Sequence, residues 1–266
     1  MLVAAVLLIG VCTSAFAEEE QAPGFFARLR ARRLQWIAGT DAWFFAGPVA
    51  SWVSIQDTRM TPLIYGGPGT GFRFSDEVVR ERWLWPTSVT GRFAVPQGPE
   101  TLSGSYQNIS GDLDLALFYR IPGTGLASGG AVHGSANLRL YDKLSNSAFN
   151  ADYVVSVEAA AAWHLPFVLL GKELDWHVRG QTPLFSWVGR QPEYAVSGLA
   201  SIWAPPWRFV RLRFETGLTW SLRWSSENLA RITYEWDFYA LNELADLHTL
   251  RIGTHTLLLS LGTKRM

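Results

Sequence analysis

Between residues 208 and 224 the chain alternates apolar and polar side chains with a period of two. Arg208, Val210, Leu212, Phe214, Thr216, Leu218, Trp220, Leu222 and Trp224 take one set of positions, and Phe209, Arg211, Arg213, Glu215, Gly217, Thr219, Ser221 and Arg223 take the other. A period of two places successive side chains on opposite faces of an extended strand. A strand of this length, tilted by about 40°, crosses the ~30 Å hydrocarbon core of a bilayer. In lipid an open sheet edge leaves backbone N–H and C=O groups without partners, so a strand of this kind demands a closed sheet.

Other segments repeat the pattern. Leu113, Leu115, Leu117, Tyr119 and Ile121 oppose Asp112, Asp114 and Arg120, and Val132, Ala136, Leu138 and Leu140 oppose His133, Ser135, Asn137 and Arg139. Tyr153, Val155, Val157, Ala159, Ala161 and Trp163 oppose Asn150, Asp152, Ser156 and Glu158. Leu174, Trp176 and Val178 oppose Glu173, Asp175, His177 and Arg179, and Ile232, Tyr234, Trp236 and Phe238 oppose Arg231, Thr233, Glu235 and Asp237. In a last strand near Leu250 to Leu261 the pattern weakens, because His255 shares a face with Leu257, Leu259 and Leu261.

A soluble exported barrel would alternate in the same way with its apolar face inside. Three features favour the inverted arrangement. Charges of both signs recur along the polar faces, the strands exceed the usual ~5 to 6 residues, and Trp or Tyr closes the apolar rows at Tyr119, Trp163 and Trp224. The chain holds 13 tryptophans, and an indole, apolar at one end and wet at the other, suits a membrane interface.

The N-terminus reads as an export signal. An apolar run from Leu2 to Gly10 precedes Ala15-Phe16-Ala17, an A-x-A cleavage pattern, and then Glu18-Glu19-Glu20, so residues 1–17 are expected to be removed. The single cysteine, Cys12, lies within them, which leaves no thiol chemistry to the rest. Residues 18–40 form a periplasmic arm or short helix, with Arg28, Arg30, Arg32 and Arg33 among Phe25, Phe26, Leu29, Leu34 and Trp36. Residues 41–266 form the barrel.

The expected architecture is an all-β, closed antiparallel transmembrane barrel of about twelve strands, with ten as the alternative. Bacterial single-chain barrels have an even number of strands, and the segment from Gln181 to Pro192, loop or strand, decides the count. Candidate strands before Gly111 lie near Trp43 to Gln56, Thr70 to Trp83 and Ser88 to Val95. Turn signals stand at Tyr65 to Gly69, Pro122 to Gly125, Gly129-Gly130, Ala204-Pro205-Pro206 and Ser225 to Asn228.

With polar faces inward, the lumen holds Asp112, Asp114, Asp152, Glu158, Glu173, Asp175, Glu215, Glu235 and Asp237 beside Arg120, Arg139, Arg179, Arg211, Arg213, Arg223 and Arg231. Nearly balanced signs pair with one another better than they select an ion, for which a ring of one sign is expected. Each buried charge needs a partner or water, so a hydrogen-bonded plug is expected. Overall, 23 basic and 23 acidic residues cancel, leaving no global field for nucleic acid. The histidines show no metal-ligand spacing, and no cofactor is expected.

Tyr141-Asp142-Lys143-Leu144-Ser145-Asn146 resembles the Tyr-x-His-x-Ser-Asn signature of outer-membrane lipid A deacylases, small barrels in which His, Ser and a Glu act on a lipid ester. Ser145 and Asn146 match, Lys143 replaces the His, and Glu158 stands for the third member. The resemblance implies a lipid hydrolase as one alternative. More broadly, the pattern, including Arg59 to Gly67 and His255-Thr256-Leu257, resembles uncharacterised outer-membrane barrels of Gram-negative bacteria.

The leading expectation is a non-enzymatic barrel in the bacterial outer membrane with lipid around it. It acts as a narrow, porin-like solute conduit or as a structural subunit docking an envelope protein partner. A soluble periplasmic binding barrel is the third alternative.

Overall fold

The computed structural model describes residues 41–58, 61–98, 106–141, 149–190, 200–222, 225–244 and 248–265. They form strands β1 (Asp41–Asp57), β2 (Thr61–Arg80), β3 (Trp83–Ala94), β4 (Tyr106–Arg120), β5 (Leu126–Tyr141) and β6 (Phe149–Leu169). The rest are β7 (Lys172–Arg190), β8 (Ala200–Ala204), β9 (Phe209–Leu222), β10 (Ser225–Leu244) and β11 (His248–Arg265). All pairings are antiparallel, and β1 closes on β11. Ten strands make the barrel, with β8 as a short additional strand on β7.

The barrel therefore closes on the lower of the two expected numbers. The deciding segment, Gln181 to Val188, is the second half of β7 and shares one strand with Leu174 to Arg179. Its far edge is covered twice, by β9 along Leu174 to Gln181 and by β8 along Ser186 to Arg190. Between Ser186↔Ala204 and Gln181↔Arg213, β7 moves five residues while its neighbour moves nine. Four extra residues are thus looped out at Pro205 to Arg208, where proline interrupts the ladder. Arg208 consequently precedes β9 rather than opening it.

Three of the turn signals fall inside strands, Ser225 to Asn228 among them at the start of β10. Tyr65 to Gly69 lies within β2, and Gly129-Gly130 within β5. The glycines serve close backbone approach instead of reversal. A Cβ on Gly129 would lie 1.9 Å from the Leu117 carbonyl oxygen, and one on Gly67 would lie 2.5 Å from that of Val95. True reversals occur at Pro122 to Gly125 and at Leu170-Gly171, where φ of 52° and 75° gives the twist of a type I′ hairpin.

The two ends of the barrel differ. At the end carrying Asp41 and Arg265, tight turns join β2 to β3 at Glu81-Arg82 and β6 to β7 at Leu170-Gly171. At the other end the connections include residues 95–105, 142–148 and 191–199.

Period-two alternation sorts side chains outward and inward as expected. Phe214 is 40% exposed and Leu257 50%, whereas Glu235 is 1% and Arg139 0% exposed. Aromatic rings rim the outer face: Trp83 packs edge-on to Tyr119 at 5.3 Å, and Trp163 to Trp176 at 5.6 Å. His255 faces outward in register with Trp52 and Trp236. Its Nδ1 lies 2.7 Å from the Tyr234 hydroxyl, so the polar residue that weakens the last strand's pattern has a partner on the apolar face. The expected N-terminal signal and arm, Arg223 and Trp224 lie outside the described residues.

Candidate functional site: the filled lumen

The inward rows stack into three layers. In the middle, Glu235 of β10 draws arginines from three strands: Arg73 Nη2 of β2 at 2.5 Å, Arg213 Nη2 of β9 at 2.7 Å and Arg92 Nη2 of β3 at 3.1 Å. Arg92 also pairs with Asp112. Asp114 accepts from Arg179 at 2.7 Å and lies 3.2 Å from Arg213 Nη1. Arg211 donates Nη1 to Glu158 at 2.7 Å, and Nε and Nη2 to Asp237 at 2.9 and 2.7 Å. Glu215 lies 3.4 Å from Arg73 and 3.6 Å from His177 Nε2.

Because a guanidinium presents five donors in a planar fork, each arginine can bridge two carboxylates. The layer is built as a mesh of opposite charges. A buried charge is costly alone and tolerable when paired and hydrogen-bonded, and here partners come both from neighbouring strands, as with Arg211 and Asp237, and from across the lumen, as with Arg73 and Glu235. His133 is also buried in this layer, near Asp112 and Asp114.

Toward the loop end the lumen becomes aromatic. Tyr65, Tyr106 and Tyr141 pack with centroids 5.0 and 5.7 Å from Tyr65, in a cluster with Ile55, Phe209, Leu241 and Leu250. Within it sits a second ionic group: Arg190 Nη2 donates to both oxygens of Asp57 at 2.7 Å, and Arg139 pairs with Asp152 and donates to Asn150 at 3.1 Å. Asn137 donates to the Tyr239 hydroxyl at 3.0 Å.

The end carrying the termini is more open. A cavity of ≈ 230 Å³ is lined by residues that include Trp43, Phe45, Arg120, Phe167, Leu229 and Glu173. Glu77 accepts from Arg231 at 2.5 and 2.9 Å, and Arg231 lies 3.8 Å above the Phe45 ring. His164 Nδ1 lies 3.3 Å from Asp175 and its ring is 5.9 Å from that of His177.

Of the residues singled out from sequence, Asp112, Asp114, Glu158, Arg179, Arg211, Arg213, Glu215, Glu235 and Asp237 meet in the central layer. Arg139 and Asp152 belong to the loop-end group, and Arg120, Glu173, Asp175 and Arg231 to the cavity. Lys143 and Ser145 lie outside the described residues. Glu158 is nine residues along β6 from Phe149, about 30 Å of strand, and is held by Arg211 and Ser156 at 2.7 and 2.6 Å. His133 and Ser135 occupy adjacent inward and partly buried positions on β5. Among the described residues no group of three or more His, Cys, Asp or Glu could hold a metal ion.

Arg73, Arg92, Asp57, Glu77 and Arg190 were not singled out from sequence. Four of them lie on β1 to β3, where glycine and proline interrupt the apolar rows and hide the alternation. Arg190 follows a bulge in β7.

No protein-family model and no curated protein matches the chain. Among solved structures it is similar to the translocator domain of autotransporter NalP from Neisseria meningitidis, at 13% identity over 91% of this chain and 96% of that one, with a TM-score of 0.46. It is also similar to the outer membrane protease OmpT from Escherichia coli (7% identity, 85% of this chain and 96% of that one, TM-score 0.41). A third is Ail, the attachment invasion locus protein of Yersinia pestis (10% identity, 85% and 99%, TM-score 0.32).

Proposed function

We propose that this chain is an integral barrel of a bacterial outer membrane that does not conduct, and that it serves as a structural subunit docking an envelope protein partner. The observation that carries this reading is the convergence on Glu235 of Arg73 and Arg92 from across the lumen and of Arg213 from the neighbouring strand. A pathway for ions or solutes would need those side chains to part, leaving buried charges unpaired. The aromatic layer at the loop end is a second obstruction on the same axis.

The apolar, tryptophan-rimmed outer face supports a lipid surround. Short turns at the terminal end and longer connections at the other match the periplasmic and extracellular ends of such barrels. The long connections and the arginine-rich arm are the surfaces left for a partner once the wall is given to lipid.

Planar-bilayer reconstitution tests the reading. The folded protein is expected to give no steady unitary conductance, and a reproducible step would overturn the structural role in favour of a conduit.

A further inference from the structure

The outer wall carries a polar pair well away from either end of the strands. Tyr234, 40% exposed, stands midway along the 20 residues of β10, opposite Thr216 of β9. Its hydroxyl lies 2.7 Å from Nδ1 of the exposed His255 on β11. Exposed rings rim the wall on both sides of this level, Trp83 and Trp176 toward the terminal end and Trp187 and Trp203 toward the loop end.

An imidazole has two ring nitrogens, and each donates or accepts a hydrogen bond. Tyr234 takes Nδ1, and among the described residues Nε2 has no hydrogen-bond partner. Acyl chains offer none, and a polar group left unmatched in hydrocarbon is costly. The surroundings suit a protein contact. Trp52 and Trp236 flank His255 in register on β1 and β10, and two residues toward the loop end Ser54 and Gly253 stand side by side in the outward rows. Indole rings beside a recess of small residues permit close approach in the membrane plane.

A second copy inserted in the same direction is related to the first by an axis along the membrane normal, which sets every residue at the depth of its counterpart. The His255 and Tyr234 of one copy then meet the same pair of the other at one level. An unrelated surface would need a polar group at the matching depth by coincidence.

We propose that two copies of this chain form a symmetric dimer in the membrane through the outer face of β1, β10 and β11, their His255 and Tyr234 side chains completing one hydrogen-bonded cluster. The contact rests on the reading of the chain as an outer-membrane barrel. It uses the wall alone, so it exists whether or not the lumen conducts.

Subunit counting by single-molecule photobleaching, on folded protein in lipid vesicles over a series of protein-to-lipid ratios, should find dimers. His255→Leu completes the apolar row of Leu257, Leu259 and Leu261 and should keep the fold. It should also raise the dimer dissociation constant by about threefold to thirtyfold, the range of one hydrogen bond within a membrane. In a Cys12→Ser background, Leu257→Cys, beside Tyr234 in the register, should cross-link between copies under mild oxidation. Val132→Cys, on β5 at the far side of the barrel, should not. Monomers at every ratio, equal cross-linking at the two positions, or a His255→Leu dimer of unchanged strength would each overturn the dimer. A chain that does not enter vesicles would overturn the membrane reading as well, so the two failures are told apart.

Discussion

Arg73 and Glu235 lie 162 residues apart in the chain and 2.5 Å apart in the lumen, joined between β2 and β10. Their contact is the shortest link between non-adjacent strands in the central layer, and Arg92 and Arg213 bind the same carboxylate. The barrel's wall is held by backbone ladders, whereas its contents are held by cross-lumen pairs of this kind.

Removing that carboxylate should be expensive. Glu235→Gln keeps the shape but leaves three buried guanidinium groups short of negative charge. Breaking a buried pair in this way costs about 3–5 kcal/mol. Urea unfolding of vesicle-inserted protein should show the loss as a lower midpoint, and an unchanged midpoint would mean that the layer is hydrated and weakly coupled.

Two glycines on β5 should respond differently to the same substitution. Gly129→Ala places a methyl group against the Leu117 carbonyl, while Gly134→Ala meets nothing within 4 Å. The first should destabilise by roughly 1–3 kcal/mol, as overpacking does. The second should be tolerated. Comparable unfolding midpoints for the two variants would contradict the close strand approach.

A charge on the outer wall should be resisted by the lipid. Phe214 is near the middle of β9 and faces outward, so Phe214→Arg should cost about 2–4 kcal/mol if it lies near the bilayer midplane. The same protein in lipid and in micelles, followed by unfolding, gives the measurement. A neutral effect in lipid would place β9 outside the hydrocarbon.

Much of the wall was legible in the sequence because the strands carry a mostly apolar outward row and a mostly polar inward one. On β9 an outward row broken only by Thr216 opposes Arg211, Arg213 and Glu215, and on β4 and β6 ionic residues recur on the inward face among Ala116, Phe118, Val154, Ala160 and Ala162, so a period of two is enough to read them. On β2 the inward positions include Gly67, Gly69 and Gly71 and the outward ones Gly66 and Pro68. Those residues answer to strand approach and give no hydropathy signal, so Arg73 and Glu77 stayed hidden.

The bulge in β7 defeated the reading differently. Val157 pairs with Phe185 and Glu158 with Pro183, leaving Leu184 extra. Leu184 and Phe185 both face outward, the parity reverses, and Ser186, Val188 and Arg190 turn inward. No local pattern announces that Arg190 will meet Asp57, 133 residues away. Ion pairs across a lumen depend on closure, which is a property of the whole sheet.

The expected orientation sets the apolar rows against acyl chains and the ionic rows against one another. It is tested most directly by single spin labels placed in turn at each residue from Phe209 to Leu222, in protein inserted in lipid vesicles. Collision rates with dissolved oxygen should oscillate with a period of two and peak at Val210, Leu212, Phe214, Thr216 and Leu218. Maxima at Arg211, Arg213 and Glu215, or a profile without oscillation, would contradict it.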